Sequence, residues 1–175
     1  MGVAYFDPRA AQGRSDEPYT LRADLDADLS IGMLANGFPD SERFLGYLGE
    51  ALARKLPRAR FRHVVKPIDS APVAAETLAA IAGECGALIA AYGHCGSCTS
   101  GTVRDAIAAA RRGLPAVALV TAAFWEQGRF VAEADGMAGV PRIKLPYPVA
   151  GTGDESLRAL AGQVAEQAMA ALAGR

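Results

Sequence analysis

Cysteine is scarce in this chain of 175 residues, with only Cys85, Cys95 and Cys98 present. Three thiols are too few for a disulfide scaffold, so two of them falling in a C-x-x-C read as chemistry or metal rather than as stapling. An excess of either charge is missing too, with Lys+Arg 18 against Asp+Glu 19. That balance argues against a binder of phosphate backbones, which needs a clustered basic excess, so nucleic acid is not an expected partner. The longest apolar runs, such as Ala116 to Ala123, fall far short of the roughly 20 residues of a membrane helix, and no membrane partner is expected. The start, Met1-Gly2-Val3-Ala4-Tyr5-Phe6-Asp7-Pro8, lacks the basic and apolar stretches of a signal peptide, and Phe6 stands where a myristoylation signal needs Ser or Thr. The expected location is the cytoplasm. With 51% hydrophobic and 21% charged residues, the composition is that of one globular domain.

Residues 1 to about 28 carry scattered charge, Pro8, Gly13 and Pro18 without a sustained period, which predicts an extended arm on a domain spanning 29–175. The pattern then changes. Ser30 to Ala35 is a short apolar run closed by Asn36-Gly37, and Pro39-Asp40-Ser41-Glu42 opens a helix with Phe44, Leu45, Leu48, Leu52 and Leu56 on one stripe. The same unit recurs with strands at Arg60–Val65, Ala87–Tyr92, Pro115–Val120 and Arg142–Leu145. The helices between and after them are expected at Ala71–Gly83, about Gly101–Arg112, Phe124–Ala134 and Asp154–Ala173. Strands alternating with helices predict an α/β fold: a single domain with a five-stranded parallel sheet and helices on both faces. Right-handed crossovers most simply give the flavodoxin-like order 2-1-3-4-5, with ligands beyond the carboxyl ends of the strands.

The third strand runs into Gly93-His94-Cys95-Gly96-Ser97-Cys98-Thr99-Ser100-Gly101 ahead of a helix. Unpaired backbone N–H groups and the positive end of the helix dipole favour a thiolate there, and the first Cys of such a motif commonly has the lowered pKa of a nucleophile. Cys98 is then placed to resolve a mixed disulfide formed at Cys95, and the spacing predicts a Cys95–Cys98 disulfide on mild oxidation. Gly96, Ser97, Thr99 and Ser100 offer backbone and hydroxyl groups to a small substrate. A zinc site would use His94 as the close extra ligand but lacks its other half, because Cys85 precedes the strand and lies roughly 20 Å away at about 3.3 Å per residue. No metal is therefore assigned, and Cys85 reads as a small buried hydrophobe. As inert loop residues, the thiols, glycines and hydroxyls would be costly decoration for a plain connection. Asn36 either offers its amide to a substrate or only makes the turn, and Thr121 is similar. Tyr147 sits in the last loop over the same edge. His63 reads as structural, and Asp105, expected in the first turn of its helix, as a stabiliser of the helix end. No Gly-Lys-Ser/Thr follows the glycines, so they are not a P-loop, and no flavin or nicotinamide motif is present, so no cofactor is expected.

The stretch from Gly93 to Pro115 resembles the UGSC family, in which the first motif position is selenocysteine in some members and cysteine in many. The likeness continues through Val117 to Phe124, Gly136-Met137, Pro146 to Gly151 and the early Asn36-Gly37-x-Pro39. That family is in turn similar to the substrate-binding selenoprotein subunit of glycine reductase. The resemblance implies that Cys95 is the attacking residue. Against the family pattern, His94 stands where an acidic residue is usual, Gly101 replaces a bulky residue, and Tyr147 stands where a His often precedes Pro. These departures imply that His94 takes over general-acid work which the last loop has lost.

Together these features predict a thiol-dependent redox enzyme: Cys95 attacks a small organic or oxidised-sulfur substrate, Cys98 resolves the adduct, and an external thiol reductant restores the pair. A lyase or transferase working through a covalent Cys95 adduct, and a non-catalytic ligand-binding subunit of a larger complex, stay open. So do a homo-oligomer and a paired subunit.

Overall fold

A computed structural model of the chain describes residues 16–67 and 71–175. The N-terminal sequence from Met1 to Pro8 and the first half of the expected arm lie outside the described residues. Five strands, β1 (Ser30–Ala35), β2 (Arg60–Val65), β3 (Ala87–Gly93), β4 (Ala116–Thr121) and β5 (Arg142–Leu145), form one sheet in the order β2-β1-β3-β4-β5, every neighbouring pair parallel. The helices are α1 (Ser41–Ala53), α2 (Ala75–Glu84), α3 (Gly96–Ala110), α4 (Trp125–Ala134) and α5 (Asp154–Leu172), with a short 3-10 turn at Ala122–Phe124 leading into α4. This is the flavodoxin-like α/β arrangement expected from the sequence.

Burial along the strands explains the order. Every residue of β3 and β4 is buried, as is β1 beyond Ser30, whereas β2 is open along its length and β5 alternates. Continuous apolar runs belong in the middle of a parallel sheet covered on both faces, and mixed strands at its edges. Successive side chains point to opposite faces, so Ile31, Met33, Ile89, Val117 and Leu119 meet α1 and α5 through Phe44, Leu48, Leu52, Leu157 and Val164. Leu34, Leu88, Ala118 and Val120 meet the other layer through Leu78, Ile81, Val103, Ile107 and Val131.

Residues 16–24 have no helix or strand. Tyr19 packs on the second of these cores, and its hydroxyl both donates to Ala116 O (3.2 Å) and accepts from Ala116 N (2.9 Å). Further along, Ala23 N–H donates to Leu172 O (2.8 Å). Among the described residues no helix is long and apolar enough to cross a membrane.

Two helix starts differ from the sequence expectation. Helix α3 begins at Gly96, not near Gly101, and Cys95 is its N-cap. Glycines and hydroxyl residues disfavour a helix interior by up to about 1 kcal/mol each, but here a reciprocal cap between Cys95 and Cys98 satisfies the helix end. Asp105 therefore lies in the third turn of α3, buried, rather than in the first. Helix α2 begins at Ala75 rather than Ala71. Pro72 disfavours helical geometry at Ala71, and the backbone ahead of α2 is engaged elsewhere: Val73 N–H donates to Asp105 Oδ1 (2.8 Å) and Ala71 O accepts from Lys66 Nζ (2.6 Å).

The close seat of α3 depends on Gly93. A Cβ there would lie 2.5 Å from Thr99 Oγ1 and 2.9 Å from Thr99 Cα. Gly93→Ala is expected to cost about 1–3 kcal/mol, because backbone on both sides must give. A denaturation midpoint equal to wild type would contradict this packing.

Candidate functional site

At the carboxyl edge of the sheet, β1 and β3 are neighbours whose following helices pack on opposite faces, the crevice where such folds bind ligands. From the β1 side, Asn36 and Gly37 make the turn. Gly37 has φ +81°, and a Cβ on it would meet Lys66 O at 2.8 Å, so a side chain there would be strained twice over. From the β3 side the chain passes through His94 and Cys95 directly into α3.

Cys95 and Cys98 face one another across the first turn of α3, with Sγ atoms at disulfide distance and Cα atoms 5.3 Å apart. Cys98 is wholly buried, whereas Cys95 is half-buried and reaches solvent. Backbone donors converge on both sulfurs. Cys98 Sγ accepts from Cys95 N–H (2.7 Å) and His94 N–H (3.3 Å), and Cys95 Sγ accepts from Cys98 N–H (3.1 Å). Ser97 Oγ lies 3.6 Å from Cys95 Sγ. The first turn of α3 carries no acidic residue. Oriented N–H groups and the positive end of the helix stabilise negative charge on sulfur, so the arrangement suits a thiolate at either position in the exchange. The third thiol is remote in the fold: Cys85 closes α2 ahead of β3, is buried, and faces Ser30 Oγ at 3.7 Å. Burial pushes its thiol pKa up, which disfavours reaction.

The first turn of α3 is held from α4 by Gln127, whose Nε2 donates to Gly96 O (2.6 Å) and Ser100 Oγ (3.2 Å). Ser100 Oγ in turn donates to Gly96 O (3.1 Å). Of the expected substrate-contact residues, Ser97 lies against Cys95 Sγ, whereas Gly96 O and Ser100 Oγ bond each other and Gln127.

Asn36, Thr99 and Thr121 point elsewhere. The Asn36 amide donates to Tyr92 O (2.8 Å) and Thr102 Oγ1 (3.2 Å), and its Oδ1 accepts from Phe38 N–H (3.1 Å). Thr121 Oγ1 donates to Gly93 O (2.7 Å). Thr99 is fully buried, and its Oγ1 has no hydrogen-bond partner among the described residues. Asn36 thereby joins the end of β1 to β3 and α3, and Thr121 joins the end of β4 to that of β3.

His94 is placed differently from a solvent-facing general acid. Its ring is buried, stacked on Phe38 at 4.9 Å between centroids and tilted against Tyr147 at 4.8 Å, with Tyr92 edge-on at 5.6 Å. Nε2 accepts from Val149 N–H (3.1 Å) and Ala150 N–H (3.4 Å). Desolvation holds its pKa below the ordinary imidazole value. Tyr147 remains 52% exposed and also meets Phe124 edge-on at 6.2 Å, so it stands between the β3 and β4 ends as an aromatic wall.

Sequence reasoning did not find Gln127, Phe38 or the buried partnership of Lys66 with Asp105. For Gln127 nothing in the local pattern separates it from a solvated helix residue. Phe38 lies inside the recognised turn, and only the fold shows that its ring packs on His94. Lys66 carries a faint signal, since it directly follows the edge strand β2 and precedes Pro67.

The sequence profile described as the UGSC family matches residues 4–174, nearly the whole chain. No curated protein matches the chain.

Proposed function

The chain belongs to the UGSC family, and on that premise we propose that it is a thiol-dependent redox enzyme acting on a small oxidised-sulfur substrate. The observation that carries this reading is the pairing of a solvent-reaching Cys95 at a helix N-cap with a wholly buried Cys98 at disulfide distance. For a small disulfide R–S–S–R′, the Cys95 thiolate forms a bond to one sulfur while the S–S bond breaks, and R′S⁻ leaves with the electron pair. Cys98, giving its proton to the departing thiolate, then attacks Cys95 Sγ and releases RS⁻, which takes up a second proton. The substrate gains two electrons and the protein gains the Cys95–Cys98 disulfide, which an external dithiol reductant returns to two thiols. The partners on this reading are a small molecule and that reductant, and a reducing compartment such as the cytoplasm suits the cycle.

The test is mass spectrometry of the reduced protein after incubation with bis(2-hydroxyethyl) disulfide, with and without a dithiol. Without reductant the expected product has lost two hydrogens, and peptide mapping finds Cys95 joined to Cys98 with Cys85 free. Under native conditions Cys95 is expected to be alkylated much faster than Cys85 or Cys98. Equal alkylation of all three, or a bridge that includes Cys85, would overturn the proposal.

A further inference from the structure

We propose that His94 is a positioning residue: a neutral imidazole whose Nε2 accepts the Val149 and Ala150 N–H groups and so holds Tyr147 and its loop as a wall beside Cys95. The wall's relevance to reaction rests on the reading of Cys95 as a nucleophile; the tether itself does not.

An imidazole nitrogen that accepts two N–H donors carries no proton, so the neutral ring has its hydrogen on Nδ1. Protonating Nε2 would set three donors against one another with no acceptor among them. Aromatic rings pack against the imidazole as well: Phe38 from the β1–α1 turn stacks on it, and Tyr147 from the loop being held lies tilted beside it. The loop has a second anchor: Gly151 N–H donates to Asp40 Oδ2 (2.8 Å), and Thr152 Oγ1 closes back on Val149 O (2.8 Å). His94 therefore joins the exit of β3, one residue from Cys95, to the β5–α5 loop.

The titratable groups around the ring come from β3, the entrance to α1, the tethered loop and the start of α3. From β3, Tyr92 donates its hydroxyl to Pro39 O (2.6 Å). From the entrance to α1, Asp40 is engaged by Gly151 N–H and by Arg43 (3.4 Å). Tyr147 lies on the tethered loop, and Cys95 and Cys98 begin α3. Among the described residues no hydrogen bond joins His94 to a carboxylate; its own backbone carbonyl favours the imidazolium, and desolvation outweighs it. The sign follows. With its folded pKa depressed, the imidazole binds a proton more weakly in the folded chain than in the unfolded one. The tether is complete above the ordinary value of about 6.5 and is lost as pH falls through the lower, folded value.

A general acid at His94 would need a transferable proton and would not survive replacement by an amide. A positioning acceptor would. In His94→Gln the Oε1 atom takes over the two N–H groups without titrating, whereas His94→Phe keeps the stack and loses the acceptor.

The test uses the full chain. In the wild-type protein, nitrogen-15 NMR should find the His94 hydrogen on Nδ1, and the Val149 and Ala150 amide shifts should titrate together with a midpoint below about 6.5. His94→Gln should abolish that titration while leaving loop protection near wild type. His94→Phe should speed exchange of those two amides by at least about tenfold, the scale of losing roughly one hydrogen bond. It should also raise the ratio of maleimide to iodoacetamide labelling at Cys95, because the larger reagent gains most when the wall loosens. A proton on Nε2, amide shifts indifferent to the titration, or equal loss of protection in both variants would overturn the tether. Unchanged reagent selectivity in His94→Phe with exchange accelerated would overturn the wall alone. Failure of the thiol chemistry would show instead as turnover surviving Cys95→Ser, with the NMR result intact.

Discussion

Cys95→Ser is expected to abolish turnover, lowering the rate by at least roughly 10⁴-fold, the scale on which removal of an attacking group acts. The serine keeps the N-cap role, since a hydroxyl accepts the Cys98 N–H as well as sulfur does, so the loss is chemical rather than structural. The partner variant behaves differently. Cys98→Ser retains the exposed thiol of Cys95 and lacks the buried sulfur that resolves the adduct. It should therefore form the first mixed disulfide and accumulate it, detected by intact mass after addition of bis(2-hydroxyethyl) disulfide. If the protein is instead a lyase or transferase working through the same adduct, Cys98→Ser turns over repeatedly without added reductant. A non-catalytic ligand-binding subunit shows no turnover in any form and binds equally well in both variants. Unchanged activity in Cys95→Ser would remove the assignment of this thiol as nucleophile.

The largest effect on stability is expected away from the thiols. Lys66 and Asp105 form an ion pair with both side chains almost wholly buried. Lys66 also donates to Ala71 O, and Asp105 also accepts from Val73 N–H. The pair thus ties α3, the helix begun by Cys95, to the end of β2 and to the segment ahead of α2. Lys66→Met leaves a buried carboxylate unpaired and is expected to cost about 3–5 kcal/mol, a fall in Tm on the order of 10 °C for a chain of this size. Adding Asp105→Asn should recover the larger part, because the amide oxygen still accepts the Val73 N–H and carries no charge.

The pH dependence has a definite sign. Desolvation already holds the Asp105 carboxyl above its ordinary pKa, with Lys66 opposing the shift. Once Lys66 is gone, protonation of Asp105 removes the unpaired charge. The deficit of Lys66→Met is then fullest above the raised folded value and shrinks as pH falls through it. Denaturant titrations of the two variants from neutral to acidic pH check both statements. A cost under about 1 kcal/mol for Lys66→Met would mean that the pair does not bear the packing of α3.

How far the chain could be read in advance depended on how local the cause was. The strand spans of β1, β2 and β5 and the order of the sheet follow from apolar runs of fixed length, turn residues such as Asn36-Gly37, and the handedness of crossovers, all of which act within one βα unit. The thiol pair was legible for the same reason, since a C-x-x-C after a buried strand places its own chemistry. The start of α3 was not. Gly96, Ser97, Thr99 and Gly101 each argue for a loop by propensity, and only the reciprocal cap of two sulfurs and the bare surface of Gly93 against Thr99 let the helix begin at once.

The roles of single polar residues were decided later still. From the sequence, Asn36 and Thr121 could either meet a substrate or only make their turns, and the family resemblance implied a general acid at His94; in the fold each meets a partner 28 to 66 residues away in sequence. A buried donor or acceptor must find its complement wherever the fold brings one. Which strand end, helix or loop supplies it is a property of the closed sheet. By itself, then, the sequence determined the elements, their order and the thiol pair, because those rest on short-range pattern. The tertiary structure alone decided that Lys66 pairs with Asp105, that Gln127 holds the first turn of α3, and that His94 tethers a loop, because long-range complementarity has no local signature.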